Sequence, residues 1–131
     1  YEMNTRLVGS EMCIIDRNDF GCYTEESVDY PDFAHELAKS IQIKKNEFGI
    51  QFCGTGNGIN MSANKHKGIR SALCWNVHIA EQSRLHNNAN ILTMPARHLN
   101  WNQVKDIVDI FLITKFEGGR HERRVKKINI S

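Results

Sequence analysis

The stretch 48-FGIQFCGTGNGI-59 decides how the chain is read. Its first half, 48-FGIQFC-53, is short, apolar and bounded by turn formers, which predicts a buried strand ending on a cysteine. Its second half alternates Gly54, Gly56 and Gly58 with Thr55 and Asn57. Glycine lets the backbone adopt positive φ and approach a ligand closely. Successive N–H groups where such a turn enters a helix make an anion site. The same residues also suit a plain tight turn between strand and helix. The spacing G-x-G-x-G is not the dinucleotide fingerprint G-x-G-x-x-G, and no G-K-[ST] follows, which argues against a Rossmann dinucleotide site and a P-loop.

The alternation continues on both sides. Residues 31-PDFAHELAKSI-41 open on Pro31, tolerated at a helix start, and set Phe33, Ala34, Leu37, Ala38 and Ile41 on one face. Beyond the loop, 58–66 reads as helix, 69–74 as strand, 77–86 as helix and 90–94 as strand. Residues 100–116 read as the clearest helix, with Trp101, Val104, Ile107, Val108 and Phe111 in a stripe. After Gly118-Gly119 a last short helix carries RHERRVKKI. Strand and helix in strict alternation favour a parallel sheet with right-handed crossovers, whose ligands bind beyond the carboxyl ends of the strands. The expected fold is a Rossmann-like three-layer α/β/α sandwich with a mostly parallel sheet, one domain over residues 1–131. The opening YEMNTRLV reads as helix where such a fold begins with a strand. A sheet without its first strand is therefore expected, with 12-MCII-15 the one early stretch able to serve as a strand.

Composition is that of an ordinary globular chain: 131 residues, 40% hydrophobic and 24% charged, with net charge +2. That balance asks for neither nucleic acid nor membrane. The run 107-IVDIFLI-113 is too short to cross a bilayer and contains Asp109. The polar opening predicts no signal peptide and a cytoplasmic protein. The four cysteines, Cys13, Cys22, Cys53 and Cys74, form no C-x-x-C pair, which points to free thiols rather than a metal knuckle.

Several residues are candidates for chemistry. Cys53 ends its strand beside a helix N-terminus, where a thiolate is favoured and can act as base or nucleophile. Cys74 ends the next strand with no glycine loop behind it and reads as core. His86 and Asn87, in 84-RLHNNAN-90, suit either a helix cap or proton transfer and a hydroxyl contact. Residues 120–127 hold five basic side chains against Glu122, a local excess of +4. Arg120 and Arg124 are i, i+4 and share a helical face, an arrangement suited to phosphate. A solvated basic tail is the plainer alternative. Nucleic-acid contact is disfavoured because no aromatic residues interleave the charges. Arg97 is a further isolated candidate. His35, His66, His78, His98 and His121 show no metal-ligand spacing and read as surface or structural.

Together these pieces resemble the ribose-5-phosphate isomerase B family, which includes the galactose-6-phosphate isomerase subunits. The resemblance rests on 19-DFGCYTEESVDYPDFA-34, 52-FCGTGNGINMSANKHKGIRSALC-74, 84-RLHNNAN-90 and 117-EGGRHERRV-125, in the family's order and spacing. It implies a cofactor-independent aldose–ketose isomerase without a metal, acting on a phosphorylated sugar. Ribose 5-phosphate is the first expectation. Allose or galactose 6-phosphate, or a non-catalytic phosphosugar-binding relic, are the alternatives. By resemblance, Cys53 moves a proton between C1 and C2, Thr55 shuttles protons between the sugar oxygens, and His86 assists ring opening. Backbone N–H groups from about Thr55 to Gly58, including Gly56 and Asn57, would hold the enediolate, and Gly54 would join them in binding substrate. Tyr30 and Asn87 would contact the sugar, and Arg97, Arg120 and Arg124 the phosphate. The resemblance further implies a homodimer or homotetramer with shared active sites, a helix near 119–128 packing on a partner, and no nucleic acid or membrane. The family's first strand and its Asp-His-Ala-Gly motif have no counterpart in this sequence, and residues 9–18 fit the family pattern poorly.

Overall fold

The structure, a computed structural model, describes residues 19–20 and 28–130. The expected opening helix, the 12–15 strand, Cys13 and Cys22 lie outside those residues. Helix α1 spans Tyr30–Gln42, with Pro31 in its first turn. It leads to strand β1, Gly49–Cys53, then the glycine loop and helix α2, Asn57–Ala63. Strand β2, Ser71–Leu73, and helix α3, Val77–Asn87, follow. Strand β3 is Ile91–Pro95, and a 3₁₀ turn at Ala96–His98 leads to helix α4, Trp101–Ile113. Helix α5, Arg120–Lys126, closes the described chain.

Among the described residues, three strands lie in the order β1-β3-β2, all parallel. Strand β3 is central and buried at every position, which is why 91-ILTMP-95 is apolar but for Thr93. Its side chains alternate between two cores. Ile91 joins Ala34, Ala38, Ile41, Ile59, Ala63 and Ile69 beneath α1 and α2. Leu92 and Met94 face the other way, onto Val104, Ile107, Val108 and Phe111 of α4 and Ala80 of α3. Helices thus cover both faces of the sheet, the three-layer sandwich expected. Burying one such large side chain contributes about 1.5–3 kcal/mol.

Local chemistry sets the element ends. Asn100 and Gln103 form a reciprocal capping box at the start of α4, with both bonds at 2.9 Å. Helix α4 stops at Ile113 rather than 116, because Thr114 turns extended and its hydroxyl donates back to the Ile110 carbonyl (2.6 Å). Strand β2 is shorter than the expected 69–74, although the Cys74 N–H still reaches the Thr93 carbonyl at 2.8 Å. Helix α3 ends on Asn88 in the left-handed region, φ 48°.

Two arginines organise the amino end of the sheet. Arg84, 7% exposed, donates to the carbonyls of Thr114 (3.1 Å) and Ala89 and to Asn88 Oδ1 (3.0 Å). Its guanidinium lies 4.8 Å from the Phe48 ring centroid, a cation–π contact. Arg70 Nε donates to the carbonyls of Asn87 and Asn88, fixing the link between α3 and β3.

Candidate functional site

At the carboxyl end of β1, Cys53 is partly buried and opens directly onto the loop. Gly56 caps α2 with φ +82°, a backbone state that a side chain makes costly. The opening amides of α2, at Asn57, Gly58 and Ile59, precede the first intrahelical bond, which runs from the Asn60 N–H to the Gly56 carbonyl. The Thr55 hydroxyl sits 3.4 Å from both the backbone and side-chain nitrogens of Asn57. Beneath the loop, Gln51 Nε2 donates to Thr93 Oγ1 (2.7 Å) and lies 3.3 Å from the Ile59 carbonyl. Thr93 in turn meets Ser71 Oγ at 2.8 Å. This buried polar link ties all three strands to the first turn of α2 and fixes the loop's position.

Two distant candidates join the loop. The Arg97 N–H donates to the Gly54 carbonyl at 3.1 Å, and its guanidinium lies over Gly54 where a Cβ would be only 2.9 Å from Cζ. The Tyr30 ring lies over Gly58, where a Cβ would be 2.4 Å from its Cζ. The missing side chains therefore make room for an arginine and a tyrosine. Cys53, Gly54, Thr55, Gly56, Asn57, Gly58, Tyr30 and Arg97 form one cluster. Cys74 stays out of it: it is fully buried, and burial raises its thiol pKa to about 11.

The other candidates assemble elsewhere. His86 and Asn87 end α3, just before the amino end of β3, and Arg120 and Arg124 lie on α5, which packs against α3. Because the strands are parallel and in register from Gly49↔Ile91 to Cys53↔Pro95, these residues are at the opposite end of the sheet from Cys53. Five strand residues put about 13 Å between the two ends. The candidate residues of one chain therefore fall into two groups at opposite ends of the sheet.

The amino-end set also contains two residues, His121 and Glu117, whose positions along the chain offer no reason to pair them with His86. His121, grouped above with histidines of no metal spacing, is 6% exposed and stacks on His86 with ring centroids 4.2 Å apart. Glu117 lies between them, 3.9 Å from His86 Nε2 and 3.9 Å from His121 Nε2. Burial, then the neighbouring His86, pushes the His121 pKa below the usual imidazole value. The Glu117 N–H bonds to the Leu85 carbonyl (3.1 Å), which brings the segment before α5 against the end of α3. The spacing of 117-EGGRH-121 was visible in sequence, but only this docking brings it to His86.

A family model for ribose/galactose isomerases matches residues 3–128. The chain belongs to that family. Among solved structures, a ribose 5-phosphate isomerase from Thermotoga maritima superposes with a TM-score of 0.91 at 46% identity, over 99% of this chain and 88% of that one. The type B enzyme from Clostridium thermocellum gives 0.83 at 48% identity, over 85% and 75% of the two chains. Ribose-5-phosphate isomerase B of Escherichia coli is 38% identical over 128 residues, 98% of this chain and 84% of that protein. Family membership makes the chain a sugar-phosphate isomerase of the ribose-5-phosphate isomerase B type. Among the described residues, no helix is long and apolar enough to cross a membrane.

Proposed function

We propose that the protein interconverts ribose 5-phosphate and ribulose 5-phosphate through an enediolate, in an active site shared between two copies of the chain. The observation that carries this reading is the placement of the two groups at opposite ends of one sheet. A loop that offers a thiol and backbone donors, but lies far from His86 and Arg124, is completed when a second copy presents its amino end. Isologous pairing across a twofold axis does this twice over.

In this arrangement Cys53 removes the proton from C2 of the open-chain aldose and returns it to C1. Thr55 carries the accompanying proton between the two oxygens. The loop N–H groups face the negative charge of the enediolate, and each such donor typically supplies about 3–4 kcal/mol in the transition state. Tyr30 beside the loop and Asn87 of the second copy hold the sugar hydroxyls, and His86 assists ring opening. Arg97, Arg120 and Arg124 take the phosphate, a non-reacting group whose binding fixes the position of C1 and C2. The relatives named for ribose 5-phosphate favour that substrate, and the family's galactose members make a hexose 6-phosphate the sugar to assay beside it.

Complementation tests both parts. Cys53→Ala and His86→Ala chains should each be inactive alone. Co-expressed in equal amounts, random pairing leaves about a quarter of the sites intact, and that fraction of turnover should return. No recovery from two folded, co-assembled variants would refute the shared site. Faster turnover of allose or galactose 6-phosphate would refute the choice of sugar alone.

A further inference from the structure

We propose that His86, Glu117 and His121 bind a divalent transition-metal ion of the zinc type, and that the bound ion shuts off the isomerase by occupying His86. The binding half of this inference stands on the geometry alone; the inhibition half rests on the role proposed for His86.

The donor set suits such an ion. Two imidazoles and one carboxylate are the ligands of many three-coordinate protein zinc sites that leave a fourth position open. Imidazole nitrogen selects zinc, nickel or copper over magnesium or calcium. The three donor atoms already lie within 4.8 Å of one another. A tetrahedral ion with bonds near 2.0–2.2 Å needs donors about 3.4 Å apart, against 3.9 Å now between Glu117 and each ring. Those two contacts, made through different carboxylate oxygens, must close by about half an ångström, and the widest donor pair by up to about 1.4 Å, a movement open to the exposed His86 and Glu117 side chains.

A second observation points to a ligand. His121 Nε2 is buried and has no hydrogen-bond partner, although it faces the Glu117 carboxylate. Leaving a buried polar atom unpaired is unfavourable, and a metal bond would remove that cost. His121 is thus the fixed anchor. The other two ligands can move: the His86 side chain is 38% exposed and that of Glu117 57%. The rings are stacked with 15° between their planes, so their lone pairs lie in nearly parallel planes. Turning the freer His86 ring directs its Nε2 to the ion that His121 holds. Arg120 and Arg124, whose charges reach His121, oppose a cation and weaken its binding.

The test uses the full chain, freed of metal with a chelator, in calorimetric titration with zinc and, separately, nickel. One ion per chain should bind. Glu117→Gln should weaken binding by more than about tenfold, and His121→Gln likewise. Cys53→Ala should leave it unchanged, which separates this site from the thiol. In the sugar assay, zinc should inhibit at the concentration at which it binds, and chelator should restore turnover. Binding that survives Glu117→Gln and His121→Gln, or none at up to millimolar metal, overturns the site. Binding that saturates with turnover unaffected overturns the inhibition. A chain without isomerase activity leaves the binding result standing, so the two failures are distinguishable.

Discussion

Gly56→Ala is the substitution whose outcome can be worked out most fully. At φ +82° an alanine pays the left-handed penalty, about 1–2 kcal/mol. Its Cβ would also stand 2.4 Å from Leu73 Cδ1 and 3.4 Å from the Met94 carbonyl carbon. Forcing a methyl into packed surroundings adds about 1–3 kcal/mol. Loss of glycine's freedom in the unfolded chain returns about 0.4–1 kcal/mol. The net is a destabilisation of roughly 2–4 kcal/mol, equivalent to a fall in Tm of roughly 6–16 °C for a domain of this size. Gly68→Ala is the matched control, because Gly68 has φ +81° and nothing within 4 Å of a Cβ. It carries the dihedral cost without the overlap, about 1 kcal/mol net. Urea unfolding of both variants reads the difference directly. Equal losses would mean that Leu73 gives way freely and the steric half of the reasoning is wrong. No loss in either would refute the positive φ itself. Turnover adds an independent check: a displaced Gly56 moves the loop amides, so kcat should fall by about 10²-fold or more even in the folded fraction.

Other outcomes follow from the same geometry. Arg124→Ala should raise KM for the sugar phosphate by about tenfold or more with a smaller change in kcat, since it removes contact to a non-reacting group; an unchanged KM would take Arg124 out of the phosphate site. Cys74, with its thiol pKa near 11, is thiolate in only about one molecule in a thousand at pH 8. Peptide mapping after brief iodoacetamide treatment should find it unmodified while Cys53 is labelled, and early labelling of Cys74 would contradict its burial. His66 has its pKa lowered, first by burial and then by His35 and Lys39. Its ring nitrogen lies 2.7 Å from that of His35. A histidine with a depressed folded pKa is stabilising when neutral, so stability should be full above about pH 6.5 and fall as pH drops below it. His66→Gln should flatten that acid slope in thermal melts; an unchanged slope would show that other groups set it.

The sheet and its helices were legible because period and punctuation agree. The apolar run at 91–95, the stripe at Val104, Ile107, Val108 and Phe111, and the glycines at 54, 56 and 58 each have one economical structural reading. The core placement of Cys74 was likewise readable, from the lack of any loop behind it. Element ends were less so. The Thr114 hydroxyl that closes α4 competes with the backbone locally, and no periodicity reports that. What the sequence could not show is proximity across elements. Nothing in the spacing of Arg97 and Tyr30 places them over Gly54 and Gly58. The candidate residues appear in sequence as one inventory, and only parallel topology divides them between two ends of the sheet. The stacked pair His86 and His121 depends on α5 docking against α3, a tertiary event with no local signal.

The placement of Cys53 and His86 at opposite ends of the sheet carries a consequence for how the proposed shared site behaves in a test tube. A site completed by a neighbour has no single-chain version, so dilution acts as an inhibitor. Below the dissociation constant of the pair, the rate should climb with the square of protein concentration, and above it in simple proportion. The bend between those regimes measures the affinity of the two copies using nothing but the sugar assay.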